Sequence, residues 1–152
     1  MKLVTTLALA ATVGVLSTSA NAAWQASPGT TCHAALGSQT NQFNTIGDTG
    51  FVRIGANSAW VSCPIHRTML VRQIVYVNLN HPSARETTCK VIHSDYQTGA
   101  NREMSIVARG TGNVYAGFNV STLGAMNNYD TYSISCNVAQ GTTVRGFSWQ
   151  DN

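Results

Sequence analysis

The feature of this chain that most narrows its fold is a strict alternation near its C-terminal end. In Tyr132–Val138 (YSISCNV), Tyr132, Ile134, Cys136 and Val138 share one face, and Ser133, Ser135 and Asn137 share the other. A period of two belongs to an extended strand with one buried and one wet side. A helix over the same residues would keep Ile134 and Val138 together but turn Cys136 away. The period recurs along the chain. In Met69–Asn80, Val75, Val77 and Leu79 oppose Tyr76, Asn78 and Asn80. In Thr88–Ser94, Cys89, Val91 and His93 oppose Lys90, Ile92 and Ser94. Met104, Ile106 and Ala108 fall together, as do Val114, Ala116, Phe118 and Val120. Shorter runs, Phe51–Ile54 and Ala59–Ile65, flank a turn-like GANS segment. In the last run, Thr143–Gln150, unbroken alternation predicts Val144, Gly146 and Ser148 opposite Arg145, Phe147 and Trp149.

Between these runs lie NHPSARE, SDYQTGAN, RGTGN, STLGAMNNYD and AQGT, rich in the Gly, Asn, Asp and Pro that turns require. No capped helical period competes with them. Short helical turns are expected at His33–Leu36 or around Thr122–Met126. Many short strands separated by turns predict an all-β fold, an antiparallel, jelly-roll-like β-sandwich. With no internal repeat, low-complexity tract or linker, residues 23–152 read as one domain.

The N-terminus reads as a secretory signal. Lys2 precedes an apolar run of 14 residues, Leu3–Leu16, and then STSANAA, where Ala20 and Ala22 form an A-x-A cleavage site. A bilayer span needs about 20 apolar residues, so residues 1–22 are expected to be cleaved and the rest secreted, to the periplasm or beyond. No later run is apolar for long enough to span a membrane. No cysteine follows the cut directly, so a lipid anchor there is not expected. The four cysteines, Cys32, Cys63, Cys89 and Cys136, are an even set in an exported chain and read as two disulfides. Three pairings exist. Cys32–Cys63 with Cys89–Cys136 is preferred because each pair could staple nearby strands, for about 3.5–4 kcal/mol each by loop entropy. A metal site is disfavoured by spacing, since there is no C-x-x-C.

Charged residues are only 10% of the chain, and polarity comes instead from Asn, Thr, Ser, Gln and Gly. Loss of Lys2 lowers the net charge from +3 to +2. The remaining basic residues, Arg53, Arg67, Arg72, Arg85, Lys90, Arg102, Arg109 and Arg145, are scattered, which argues against nucleic acid as a partner. None of the four histidines sits at an H-x-x-x-H spacing. His93 shares a face with Cys89 and Val91 and reads as a partly buried, hydrogen-bonded ring. His81, before Pro82, reads as solvated, and His66 stands beside Arg67. Six carboxylates offer no favoured pair for glycoside hydrolysis, and no G-x-S-x-G turn is present. Gly47-Asp48-Thr49-Gly50 and Asn127-Asn128-Tyr129-Asp130 are thin versions of a calcium loop. No catalytic residue, metal ligand or cofactor is therefore assigned.

The aromatic residues are the better lead. Tyr76, Phe147 and Trp149 fall opposite the apolar faces, and Tyr96, Tyr115 and Tyr129 fall in or beside loops. Rings amid amides and hydroxyls are how a sandwich would hold a sugar. Tyr76, Tyr96, Tyr115, Tyr129 and Trp149 are thus the candidate binding residues. The competing reading is that such rings fill the core.

A cysteine soon after the leader, Val61-Ser62-Cys63-Pro64, the Tyr132–Cys136 Y-x-I-x-C strand and a closing aromatic strand give the chain a resemblance. It resembles a group of secreted bacterial β-sandwich proteins that carry no assigned activity. The resemblance implies the sandwich and the disulfides. The expected function is a secreted, non-catalytic protein that binds or builds at the cell surface, with a polysaccharide or another surface protein as partner. A lectin-like module and a small extracellular hydrolase are the alternatives.

Overall fold

The computed structural model describes residues 23–47, 50–65, 71–123 and 129–151. The leader Met1–Ala22, the Asp48 loop, His66, Met69 and Met126–Asn128 lie outside them. The described residues form nine strands: β1 Ala23–Pro28, β2 His33–Ala34, β3 Phe43–Ile46, β4 Gly50–Arg53, β5 Ala59–Ile65, β6 Val71–Ser94, β7 Asn101–Asn119, β8 Thr131–Val138 and β9 Thr143–Asp151. They make one antiparallel sheet in the order β2-β5-β8-β6-β9-β4-β3, with β1 added to β9 and β7 added to β6. Among the described residues no helix is long and apolar enough to cross a membrane.

The sheet becomes a sandwich because its longest hairpin, β6–β7, is folded in half. Residues 71–80 of β6 pair with β9, whereas residues 88–94 pair with β8. Between them the register of β6 on β7 slips from His81 to Arg85. The facing residues of β7, Gly110 and Gly112, hold positive φ angles of 134° and 74° that a side chain would resist. The fold brings the two ends of β7 together, and Arg102 Nη1 donates to Leu123 O at 3.1 Å. One layer is therefore β2-β5-β8 with the far half of the hairpin. The other is the near half with β9, β1, β4 and β3, and the sheet is nearly barrel-shaped.

NHPSARE and RGTGN, expected as turns between separate strands, are thus bends within continuous ones. His81 explains how the bend holds. It is 1% exposed, with Nδ1 3.1 Å from Gly110 O and Nε2 2.9 Å from Thr87 Oγ1. A carbonyl only accepts, so in the neutral ring Nδ1 donates to Gly110 and Nε2 accepts the Thr87 hydroxyl. The expectation of a solvated His81 is corrected. The ring stays in phase with Val75, Val77 and Leu79 and enters the core with them. The helical segments are short 3₁₀ turns at Gly29–Thr31, Gly37–Gln42 and Val120–Leu123. His33 and Ala34 are strand instead.

Both disulfides are present in the preferred pairing and join adjacent strands. Cys89 stands directly opposite Cys136, Cα–Cα 4.0 Å. Cys32 precedes β2, whose His33 pairs with Ser62, and reaches Cys63 with Cα–Cα 4.1 Å. All four sulfurs belong to buried residues.

The expected alternation in β6, β7 and β8 is the observed one, and their apolar faces form the core. In β9 it breaks. Leu79 pairs with Val144 but Asn78 pairs with Gly146, so Arg145 is an extra residue in a β-bulge. One inserted residue reverses the phase of everything after it. Phe147 and Trp149 consequently turn inward at 3% and 4% exposure, their rings stacked at 5.8 Å. This corrects the face assignment of the last strand, and it places the Trp149 ring in the core rather than on the surface.

Candidate binding groove

The outer face of the β9 layer carries the residues left over when the core is filled. Tyr76 and Asn78 of β6, Tyr115 of β7, and Arg145 and Ser148 of β9 line a groove of about 420 Å³, with Ala26–Pro28 of β1 along its side. Register places them. Asn78 is flanked by Tyr115 on one neighbour and Gly146 on the other, and Tyr76 by Gly117 and Ser148.

Two glycines shape this face. A Cβ on Gly117 would lie 2.7 Å from Tyr76 Cε1, so the tyrosine ring lies down across the bare backbone of its cross-strand partner. A Cβ on Gly146 would lie 2.6 Å from Ser27 O, so only glycine lets β1 run this close to β9. Beside the lowered Tyr76 ring stands Tyr115, 64% exposed. Asn78 lines the groove as well, and its buried Oδ1 finds no hydrogen-bond partner among the described residues. Further along the same face Asn80 Nδ2 donates to Asn113 Oδ1 at 3.0 Å.

Among the described residues the groove has no carboxylate and no imidazole in its lining. Those are the groups that most often carry general acid–base chemistry and glycoside hydrolysis. What the lining offers is apolar ring surface, hydroxyls, an amide and one guanidinium.

The remaining candidate rings lie elsewhere. Tyr96 and Tyr129, 73% and 71% exposed, pair with ring centroids 5.7 Å apart beyond the end of β6. Asp130 stands behind them, with Oδ1 accepting from Tyr96 N at 3.1 Å and Oδ2 3.0 Å from His93 Nε2. His93 and Asp130 are buried at 2% and 0% side-chain exposure, and the His93 ring packs on Tyr132 at 5.1 Å. His93 is thus the buried, hydrogen-bonded ring that its strand phase implied, and the pair braces the loop. Asp95 caps the same hairpin turn. The N–H groups of Thr98 and Gln97 donate to its Oδ1, and chiefly the Thr98 bond holds its carboxyl below the ordinary range. Among the described residues no three His, Cys, Asp or Glu side chains gather as a metal site.

No family model matches the chain, and no curated protein matches it. Among solved structures the chain is similar to TmCBM61, determined in complex with β-1,4-galactotriose. The likeness covers 84% of this chain and 83% of that one, at 12% identity and a TM-score of 0.39.

Of the five candidate rings, then, the groove unites Tyr76 and Tyr115. Sequence reasoning missed Asn78, Arg145 and the two serines. Asn78 was legible in principle, being in strict phase with Tyr76. Arg145 was hidden by the bulge, which a two-residue period does not reveal.

Proposed function

We propose that this protein is an exported, non-catalytic β-sandwich that binds carbohydrate in the groove beside β1. One observation carries the reading: the exposed Tyr115 ring stands next to the flattened Tyr76 ring, with Asn78, Arg145 and Ser148 in the same groove. A pyranose presents an apolar face of C–H groups and a rim of hydroxyls, and this lining complements both. A volume of about 420 Å³ falls among small-ligand sites, which run about 300–1,000 Å³. The lack of a carboxylate or imidazole among the described lining residues favours binding over hydrolysis. The signal-like leader and the buried disulfides favour an oxidising compartment outside the cytoplasm.

The test is affinity electrophoresis through gels containing single polysaccharides, followed by calorimetry on any that retard the protein. Tyr115→Ala should weaken binding at least tenfold, the equivalent of about 1.4 kcal/mol, while thermal stability holds, because the ring is exposed. Retention by no glycan, or an unchanged affinity in Tyr115→Ala, would count against the groove as a sugar site.

A further inference from the structure

We infer that the sugar bound in this groove is an acidic one, a pyranose carrying a carboxylate. The inference rests on the carbohydrate reading above and goes beyond it by naming the ligand class.

The argument starts from the bulge. Regular pairing through residues 143–149 would leave Arg145 with a directly facing partner on β6 and Phe147 on the outside. Instead Val144 and Gly146 take successive partners, Leu79 and Asn78, and Arg145 stands between them as the extra residue. Bulges re-aim a side chain in this way, often beside a binding site. Gly146 is held here by two demands. It is buried, and β1 passes so closely that a Cβ would meet Ser27 O. The backbone that presents Arg145 is therefore fixed on both sides, by β6 and by β1.

Among the described residues nothing neutralises the charge so presented. Arg145 is exposed, lines the groove, and makes no salt bridge or hydrogen bond among the described residues. Other cations of the sheet are engaged: half-buried Lys90 pairs with Glu103 at 2.8 Å, exposed Arg109 pairs with Glu86 at 2.7 Å, and exposed Arg102 donates to Leu123 O at 3.1 Å. No carboxylate lines the groove to compete for the guanidinium. A planar fork of N–H donors matches a carboxylate, which can take two of them at once. With Tyr115 and Tyr76 offering ring surface and Asn78 an amide, the lining fits a uronate stacked on tyrosine with its carboxylate turned to Arg145. A neutral sugar offers the guanidinium hydroxyl acceptors but no charge to match its own.

The experiment compares oligosaccharides of equal length and linkage that differ only at C6, oligoglucuronate against oligoglucose, by calorimetry at low and at physiological salt. A sulfated oligoglucose of the same length tests whether any anion suffices. The uronate should bind at least tenfold more tightly than the neutral oligomer and more tightly than the sulfated one, and the margin should shrink as salt rises. Arg145→Gln should reduce the margin to less than threefold, and Arg145→Lys should restore part of it. Tyr115→Ala should weaken acidic and neutral oligomers alike. Equal affinity for uronate and neutral oligomers, a margin that survives Arg145→Gln, or a preference for the sulfated sugar would overturn the acidic-sugar inference and leave the carbohydrate reading standing. Failure of the folded protein to bind any oligomer would overturn both.

Discussion

Arg53 offers the sharpest test of how the non-groove edge of this sandwich holds together. It sits in β4 at 1% exposure, and its guanidinium lies in a slot. One wall is the Phe43 ring, 4.9 Å from Cζ, and the other is the backbone of Gly55, where a Cβ would come within 2.7 Å of Cζ. Nε and Nη2 donate to Asn57 O at 2.9 and 2.6 Å, Nη1 donates to Gln42 O at 3.0 Å, and Nη2 also donates to Gln42 Oε1. Every acceptor is neutral, and burial lowers the group's pKa from its ordinary value; an arginine nonetheless keeps its proton in a protein. The side chain thus ties the Gly37–Gln42 turn to the loop after β4. Four bonds at about 1 kcal/mol each and a cation–π contact of about 1 kcal/mol would come to about 5 kcal/mol. An apolar replacement is spared the desolvation of a buried charge, and Gln42 O keeps the N–H groups of Ile54 and Gly55. Arg53→Met should therefore destabilise by about 2–4 kcal/mol. Arg53→Lys should cost a similar amount, because an ammonium keeps the charge but lacks the plane and the fork. Urea denaturation followed by tryptophan fluorescence measures both. Gly55→Ala, which pushes a methyl into the slot, should be coupled to Arg53→Met in a double-mutant cycle by at least about 1 kcal/mol. Arg53→Lys within about 0.5 kcal/mol of the parent would refute the reasoning, since charge alone would then suffice.

Two further outcomes test the core. Ile134→Ala removes methylenes from a side chain at 0% exposure in β8 and should cost about 2–5 kcal/mol, whereas Ser133→Ala on the other face should fall within about 0.5 kcal/mol. Ser135→Ala should lie between them, near 1 kcal/mol, because its hydroxyl donates to Val61 O at 3.2 Å; denaturant midpoints with an unchanged slope decide the order. His81→Leu strands Gly110 O and the Thr87 hydroxyl at the bend and should cost about 2–4 kcal/mol. Amide exchange should then quicken first around 81–87 and 108–112, and uniform quickening would show that the bend has no private brace.

The interior of this protein was readable from sequence to the extent that alternation was unbroken. Tyr132 to Val138 points as its pattern says, and so do Val75 to Leu79 and Cys89 to His93. The preferred pairing of the cysteines rested on their stapling nearby strands, and Cys89–Cys136 joins β6 to β8 while Cys32, just before β2, meets Cys63 of β5. What stayed hidden was continuity and insertion. Pro82, Ser83, Gly110 and Gly112 carry the composition of turns, and local composition cannot tell a chain that reverses from one that bends while still paired. The difference was set by a tertiary contact, the buried imidazole of His81 reaching Gly110 and Thr87. Short edge strands such as His33–Ala34 have too few residues to show any period.

The break in β9 was equally invisible, and it is where core and groove depend on one another. An unbroken β9 could bury Val144 or the pair Phe147 and Trp149, but not all three, because their spacing is odd. The bulge resolves that conflict by spending one residue on neither face of the ladder, and the residue so spent is Arg145. The residue after it is a glycine, and that glycine admits β1, which forms the groove's side. Packing two large aromatic rings in the core thus produces an outward cation and a walled groove beside Tyr76 and Tyr115. Deleting Arg145 would therefore reach the core first, by turning Phe147 and Trp149 outward, whereas replacing its side chain alone would reach only the groove. That asymmetry between deletion and substitution is what separates a residue kept for its backbone from one kept for its charge.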